Sequence, residues 1–138
     1  MKGINGMLRI NRSVLLAITA HAKKELPNEA CGYLASENNI VTSHYELTNI
    51  DKAVDHFRMD PKEQFAAVKD MRRRGQVMRA VYHSHPETPA RPSVEDIKLA
   101  YDPDISFVII SLAADEPQIK SFLIVKGEVS EEPIEIIE

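Results

Sequence analysis

The sequence contains few of the residues that define specialised classes of protein. Cys31 is its single cysteine, so no disulfide can form within the chain, and a reducing compartment is expected. No apolar run approaches the roughly 18 residues of a membrane-spanning helix. The start of the chain has neither a long apolar segment nor a small-residue cleavage site. We therefore expect a cytoplasmic protein without a signal peptide or a membrane span.

An excess of positive charge is also missing, since 21 acidic residues outnumber 17 basic ones and give a formal net charge of −4. This balance argues against a nucleic-acid partner, which usually requires a basic surface. The one basic run, Arg72 to Arg74, precedes Gly75, and cations followed by glycine are typical of a helix end. The length of 138 residues predicts a single domain over residues 1–138.

The spacing of apolar residues predicts an α/β fold with a single mixed β-sheet flanked by helices. Asn38 and Asn39 indicate a tight hairpin turn, Asp60 and Pro61 a helix start, and residues 105–112 a central strand buried on both faces. The predicted helices cover residues 11–24, 60–74 and 93–101. The predicted strands cover residues 30–35, 40–47, 56–59, 76–85, 105–112 and 118–125, with a final solvated edge strand within 131–138.

The stretch VYHSHPETPARPSVED, residues 81–96, is the strongest candidate for chemistry. His83 and His85 share one face of a strand, where two imidazoles can bind one cation. Ser93 and Asp96 form a near capping box at a helix start, from which Asp96 could also reach the same cation. These residues alone support two readings: a metal site with a free position for water, or a strand end, a stiff proline-rich loop and a capped helix.

A catalytic zinc site also needs a general base. Glu29 lies immediately before the buried strand ACGYLA, at the expected edge of the sheet. Glu25 lies near a helix C-terminus, where the helix dipole disfavours a carboxylate. Spacing alone does not choose between the two.

Two segments together resemble the JAMM (MPN+) metallopeptidases. HSHPETPARPSVED matches the zinc motif His-x-His-x7-Ser-x-x-Asp of that family, and PNEACGYL resembles the segment that carries its catalytic glutamate. The resemblance extends over nearly the whole chain. It implies the JAMM/MPN architecture, which is similar to that of cytidine deaminases, and one Zn²⁺ per chain held by His83, His85 and Asp96.

The same resemblance implies roles for other residues. Glu29 would be the general base and then the acid, and Ser93 would donate a hydrogen bond to the oxyanion. The segment DHFRMDPKEQF resembles the substrate side of the family, which makes His56 a candidate substrate contact.

The short chain resembles bacterial stand-alone members of the family. Some of these cleave after the C-terminal Gly-Gly of ubiquitin-like sulfur-carrier proteins, and one subgroup releases cysteine in cysteine biosynthesis. The implied function is a zinc-dependent (iso)peptidase with such a carrier as its partner. The carrier, the residue removed and the oligomeric state do not follow from the sequence.

Three other classes remain to be compared with this one. A non-catalytic MPN scaffold would lack metal ligands, whereas every position of the zinc motif is filled here. A repair-linked bacterial family shares the zinc motif but carries an extra DNA-binding region. A cysteine hydrolase would use Cys31, although a lone cysteine in an apolar segment is usually a core residue. A zinc deaminase needs a Pro-Cys-x-x-Cys segment, which one cysteine cannot supply.

Overall fold

The computed structural model describes residues 6–138. Residues 1–5, which belong to the predicted single domain and to the segment examined for a signal peptide, lie outside the described residues. The elements in chain order are β1 (Leu8–Asn11), α1 (Arg12–Lys24), β2 (Cys31–Glu37), β3 (Ile40–Leu47), α2 (Pro61–Arg73), β4 (Val77–His85), α3 (Val94–Lys98), β5 (Ser106–Ser111), β6 (Gln118–Val125), β7 (Glu128–Glu132) and β8 (Ile134–Ile137).

The eight described strands form one sheet in the order β7-β6-β5-β4-β2-β3-β1-β8. The sheet is mixed: β4 runs parallel to β5 and antiparallel to β2. The predicted fold class, a single mixed sheet with flanking helices, is therefore confirmed. Within residues 6–138, no helix combines the length and apolarity that a membrane crossing requires.

The hairpin between β2 and β3 forms where the two asparagines predict it. Asn38 and Asn39 have φ of 52° and 66°, the left-handed conformation that a two-residue hairpin turn requires. Asp60 caps α2 as expected, because its side chain accepts a hydrogen bond from the backbone N–H of Lys62 at 2.9 Å. Local sequence signals thus set the boundaries of these elements.

The helices α1 and α2 pack on opposite faces of the sheet. Val14, Ile18 and Ala22 of α1 belong to one buried cluster, which includes Tyr82 and other strand residues. The other face carries α2 and the cluster of Cys31, Tyr33, Ala35, Leu47, Met59, Ala67 and Met71, with Val81 packed against it. Because side chains alternate along a strand, the histidines that follow Val81 at positions 83 and 85 lie on the α2 face.

Glycine is required at position 32, where β2 pairs with β4 opposite Tyr82. A Cβ atom at this position would lie 2.2 Å from the backbone oxygen of Tyr45 and 2.4 Å from Cε2 of Tyr82. The Tyr82 ring is fully buried, and its hydroxyl lies 2.7 Å from Nδ1 of His21. The Cys-Gly pair of β2 therefore lets the Tyr82 ring pack directly against the strand backbone.

Two predicted elements differ from the structure, and one strand was not predicted. Residues 56–59 do not form a strand, since only an isolated bridge joins Asn49 and Met59. The helix α3 is shorter than predicted and ends at Lys98. The strand β1 was not predicted, because four residues that include Arg9 and Asn11 give too short an apolar alternation to recognise.

The C-terminal segment corrects the prediction of one solvated edge strand. It forms two strands on opposite edges: β7 pairs with β6, whereas β8 pairs in parallel with β1. Pro133 lies between them, where a residue without an N–H interrupts a ladder. Glu132 is also only 3% exposed, and its buried carboxylate accepts hydrogen bonds from the hydroxyls of Ser106 and Ser121.

Candidate metal centre

Three side chains converge where β4 ends and α3 begins. Nε2 of His83 lies 3.1 Å from Nε2 of His85 and 3.1 Å from Oδ2 of Asp96, and Nε2 of His85 lies 3.2 Å from the same oxygen. The side chains are 3%, 4% and 13% exposed, respectively. In the described part of the chain they are the one group of three potential ligands that meets in this way. The structure thus brings together the three residues that the sequence motif selects.

The donor atoms fit a zinc ion. Zn–N and Zn–O bonds of about 2.0–2.1 Å in a tetrahedral set place the ligand atoms about 3.3 Å apart, close to the distances seen here. Nδ1 of His85 lies 2.8 Å from the carbonyl oxygen of Pro89 and donates to it. In the neutral ring this bond fixes the tautomer and leaves a lone pair on Nε2 facing the other ligands, as in metal-binding histidines.

Hydrogen bonds set the charges of this group. Burial would raise the pKa of the Asp96 carboxyl, but hydrogen bonds from His83 and His85 outweigh it and hold that pKa well below its usual range. Burial lowers the pKa of His85, yet hydrogen bonds to Asp96 and to the Pro89 carbonyl raise it overall. The carboxylate is therefore ionised, and a metal at this site competes with a proton on His85.

The start of α3 holds Asp96 in place. Oγ of Ser93 accepts the backbone N–H of Asp96 at 3.0 Å, and the backbone N–H of Ser93 donates to Oδ2 of Asp96 at 2.9 Å. This is a complete capping box, with an aspartate in the position usually held by glutamate or glutamine. The two readings of the sequence are therefore compatible, because Asp96 caps the helix with the same oxygen that faces the histidines.

The loop before α3 is tied to the sheet as well as stiffened by proline. Pro86, Pro89 and Pro92 restrict its backbone. The hydroxyl of Ser111, at the end of β5, donates to the carbonyl oxygen of Thr88 at 2.6 Å. The carbonyl of Pro89 that orients His85 is thereby held in place by the neighbouring strand.

Glu29 lies beside this group, in a buried setting. Ala30 exchanges two hydrogen bonds with Ser84, the residue between the histidines: its N–H donates to Oγ at 2.8 Å, and its carbonyl accepts the Ser84 N–H at 3.0 Å. Glu29 is 4% exposed, and its Oε1 has no hydrogen-bond partner among the described residues. Burial raises the pKa of Glu29 to about 8, although the charge of His85 opposes the rise.

This geometry distinguishes between the two candidate bases. A carboxyl group with a pKa near neutral pH can both accept and return a proton. The Glu25 side chain is instead 37% exposed and lies 4.0 Å from Nε2 of His21, at the end of α1. The structure therefore favours Glu29 over Glu25.

Cys31 is unsuited to nucleophilic catalysis. It is completely buried, and burial raises the pKa of its thiol to about 12. A thiol needs to ionise to act as a nucleophile. Cys31 is a core residue of the α2 face, as its apolar surroundings in the sequence indicate.

His56 lies at the rim of a cavity of about 180 Å³ that reaches His83 and Asp96. Its ring contacts Asp55 at 3.0 Å and Asp51 at 3.1 Å, and these carboxylates raise the pKa of His56. The rest of the cavity is mostly apolar and is lined by Tyr33, Phe57, Met59, Gln64, Val81, Glu95, Leu99 and Phe107. The structure places His56 beside the candidate metal centre and outside its ligand group.

Three contacts at this site were not predicted from the sequence. The Phe57 ring packs against the His83 ring with centroids 4.8 Å apart, and the carbonyl of Pro89 orients His85. Asn49 joins the loop that carries His56 to the backbone of Glu29. Each is a tertiary contact, and the segments that make it have no periodicity that would reveal it.

Comparison with known proteins identifies the class. The family described as prokaryotic homologs of the JAB domain matches residues 11–125. The chain is also 35% identical over 140 residues to the CysO-cysteine peptidase of Mycobacterium tuberculosis, with 99% of this chain and 96% of that protein covered. The chain belongs to the prokaryotic JAB-domain family, and it is a hydrolase of the JAMM peptidase type.

Solved structures agree with this assignment. A protein from Desulfitobacterium hafniense with a known solution structure is 49% identical, with a TM-score of 0.87 and coverage of 96% of this chain and 94% of that one. A JAB1/MPN domain protein from Archaeoglobus fulgidus is 24% identical with a TM-score of 0.65, covering 94% and 99% of the two chains, and shows the shared fold. The JAMM/MPN architecture implied by the sequence resemblance is confirmed.

Proposed function

We propose that this protein is a zinc-dependent peptidase that hydrolyses the amide bond after the C-terminal Gly-Gly of a ubiquitin-like sulfur-carrier protein. The observation that carries the proposal is the convergence of His83, His85 and Asp96 beside a buried glutamate whose pKa is raised to about 8. Such a combination suits hydrolysis by an activated water. In this reading the three converging residues hold one zinc ion per chain.

The substrate class is supported by two relatives. One is named a CysO-cysteine peptidase. The other, from Thermus thermophilus, is named a probable TtuB-protein conjugate cleaving protease and is 35% identical over 100 residues, covering 71% of this chain and 67% of that protein. Both names describe cleavage of a group from a partner protein. We propose that this chain likewise cleaves a carrier conjugate, with cysteine as the residue released.

Residues of this chain supply the proton transfers. When bound, zinc supplies Lewis-acid activation of a water molecule and of the substrate carbonyl. Glu29 accepts the proton of the attacking water and later gives it to the leaving amine nitrogen, because burial moves the pKa of its carboxyl from the ordinary value towards neutral pH. The burial of Glu29 excludes bulk water, which would otherwise lower this pKa.

Ser93 and the neighbouring cavity complete the proposed site. The Oγ atom of Ser93 accepts the N–H of Asp96, which leaves its own O–H free to donate to the oxyanion that forms on the substrate carbonyl. The apolar cavity beside His83 would receive the C-terminal tail of the carrier, with His56 at its rim. His56 is therefore a proposed substrate contact.

The proposal is tested with a sulfur-carrier protein that ends in Gly-Gly-Cys. We expect the purified protein to hold one zinc ion per chain and to remove the terminal cysteine, observed as a mass decrease of the carrier. A chelator should abolish cleavage, and added zinc should restore it. Glu29→Gln should keep zinc but lose activity by about 10²- to 10⁴-fold, whereas Asp96→Asn should lose the metal.

Other outcomes would identify other classes. A purified protein that lacks stoichiometric zinc and cleaves no carrier conjugate would indicate a non-catalytic MPN-type protein. Cleavage that survives chelation but is blocked by thiol alkylation would indicate a cysteine hydrolase using Cys31. Full activity of Glu29→Gln would place the general base elsewhere.

A further inference from the structure

Asn49 connects the backbone of Glu29 to the loop that follows β3. Its side chain is part of a residue only 6% exposed. The amide nitrogen Nδ2 donates to the carbonyl oxygens of Glu29 at 3.1 Å, His56 at 3.0 Å and Ala53 at 3.4 Å. The same Ala53 oxygen accepts the backbone N–H of Glu29 at 2.8 Å. The segment before β2 and the loop therefore meet at one side chain.

The other end of the Asn49 amide binds the same loop. Its Oδ1 accepts the backbone N–H groups of Asp51 and Arg58, each at 3.2 Å. The backbone of Asn49 adds a bond from the N–H of Lys52 to its carbonyl at 3.0 Å. All five side-chain partners are backbone groups, so this contact depends on the fold of the loop and not on the side chains it carries.

We propose that Asn49 is a positioning residue that holds Glu29 and the His56-bearing loop in one fixed arrangement. The inference rests on the proposed role of Glu29 as the general base. The Oε1 atom of Glu29 has no hydrogen-bond partner among the described residues. Its orientation towards the centre therefore depends on how firmly its backbone is held, and Asn49 makes the side-chain contact to that backbone carbonyl.

The chemistry of this position requires an amide. The two hydrogens of Nδ2 serve the carbonyls of Glu29 and His56, with the longer 3.4 Å contact to Ala53 shared, and Oδ1 accepts two N–H groups. No other side chain as short as asparagine offers two donors together with an acceptor. An aspartate keeps the shape and the acceptor but cannot donate when ionised. It would place a negative charge against three carbonyl oxygens, and buried polar groups without partners are costly.

The test compares Asn49→Asp and Asn49→Ala with Gln76→Glu. Gln76 is another buried amide, 8% exposed, whose Nε2 donates to Oγ of Ser43 at 2.9 Å beyond the C-terminal end of α2. We expect Asn49→Asp to retain one zinc ion per chain while kcat falls by about 10- to 100-fold and KM changes by less than about twofold, since misplaced catalytic groups lower the rate of chemistry. The Glu29 amide should exchange with D₂O at least about tenfold faster.

The control separates positioning from stability. Gln76→Glu should lower Tm but leave kcat and the exchange of the Glu29 amide unchanged. Wild-type kcat in Asn49→Asp, or unchanged exchange at Glu29, would overturn the proposal. If both Asn49 variants fail to fold, the wild-type protein still provides the test: the amides of Glu29 and Arg58 should lose protection together as denaturant is added, and independent behaviour would refute the link.

Failure of the proposed function would give a different pattern. If the wild-type protein cleaves no carrier conjugate, the proposed role of Glu29 as the general base is refuted. The exchange measurements would still show whether Asn49 holds the Glu29 backbone and the loop as one unit.

Discussion

Glu29 and Asp96 are both largely buried carboxyl groups near the same histidines, yet their pKa values shift in opposite directions. Burial dominates at Glu29 and raises its pKa to about 8. At Asp96 hydrogen bonds from His83, His85 and the Ser93 backbone outweigh burial and lower the pKa. The two carboxyl groups are therefore suited to different roles, one to proton transfer and the other to holding a cation.

The raised pKa of Glu29 predicts a pH dependence of stability. In the metal-free protein Glu29 binds its proton more tightly when folded than when unfolded, with a folded pKa of about 8 against an ordinary value of 4.5. Its contribution to stability is full below about pH 4.5 and is lost as pH rises through about 8. We expect the Tm of the metal-free protein to fall over this range, and Glu29→Gln to reduce the fall.

The wild-type protein needs to be compared with Glu29→Gln because His85 also has a raised pKa. Its contribution to the stability of the folded protein is likewise lost as pH rises through its own pKa. Thermal unfolding of the wild-type protein and Glu29→Gln at pH 5 and pH 8 isolates the contribution of Glu29. Parallel curves for the two proteins would show that Glu29 is not shifted by the fold.

At the scale of elements, the short helix α3 combines a structural and a chemical role in one turn. The Ser93 side chain caps the helix, and the cap fixes Asp96 beside the histidines. The loop that precedes α3 also orients His85 through the carbonyl of Pro89. A change in this turn can therefore alter stability, metal binding or activity, and the three effects need to be measured separately.

Ser93→Ala tests whether the serine hydroxyl does more than cap α3. Loss of the cap should cost about 1 kcal/mol of stability. If the hydroxyl also donates to the oxyanion, kcat should fall by about 10²- to 10³-fold. Asp60→Ala is the matched control, because it removes the cap of α2 and should lower Tm similarly without loss of kcat. Equal activities of the two variants would limit Ser93 to capping.

At the scale of the whole molecule, the candidate site joins parts of the chain that are distant in sequence. The histidines end β4, Asp96 starts α3, and Glu29 precedes β2, which pairs with β4. Asn49, in the loop that follows β3, binds the backbone carbonyl of Glu29. The site thus depends on the pairing of β2 with β4 in the centre of the sheet.

Zinc should stabilise the folded protein because its ligands come from two elements joined only by the loop of residues 86–93. A ligand that binds only the folded state at 1,000 times its Kd adds about 4 kcal/mol to the free energy of unfolding. We expect thermal unfolding to show a higher Tm with zinc than with a chelator for the wild-type protein and for Glu29→Gln. Asp96→Asn should show little of this shift, and an equal shift there would contradict the assigned ligand group.

Local patterns were sufficient to predict much of the fold. Asn38 and Asn39 fixed the hairpin, Asp60 and Pro61 the start of α2, and the apolar run at 105–112 a central strand, because turn, capping and burial preferences act between near neighbours. The His-x-His and Ser-x-x-Asp spacing made His83, His85 and Asp96 candidate ligands but left a purely structural reading open. The resemblance to the JAMM family named them as ligands, and the three side chains converge in the structure.

The tertiary structure decided what depends on distant contacts. It placed the two C-terminal strands on opposite edges of the sheet and buried Glu132, which a local acidic pattern assigned to solvent. It also separated Glu29 from Glu25, which spacing alone left undecided, because Glu29 is buried and the Glu25 side chain is 37% exposed. It also revealed the role of Asn49, whose five backbone partners are the Glu29 carbonyl and four groups in the loop of residues 51–58. The spacing of the sequence does not predict these contacts.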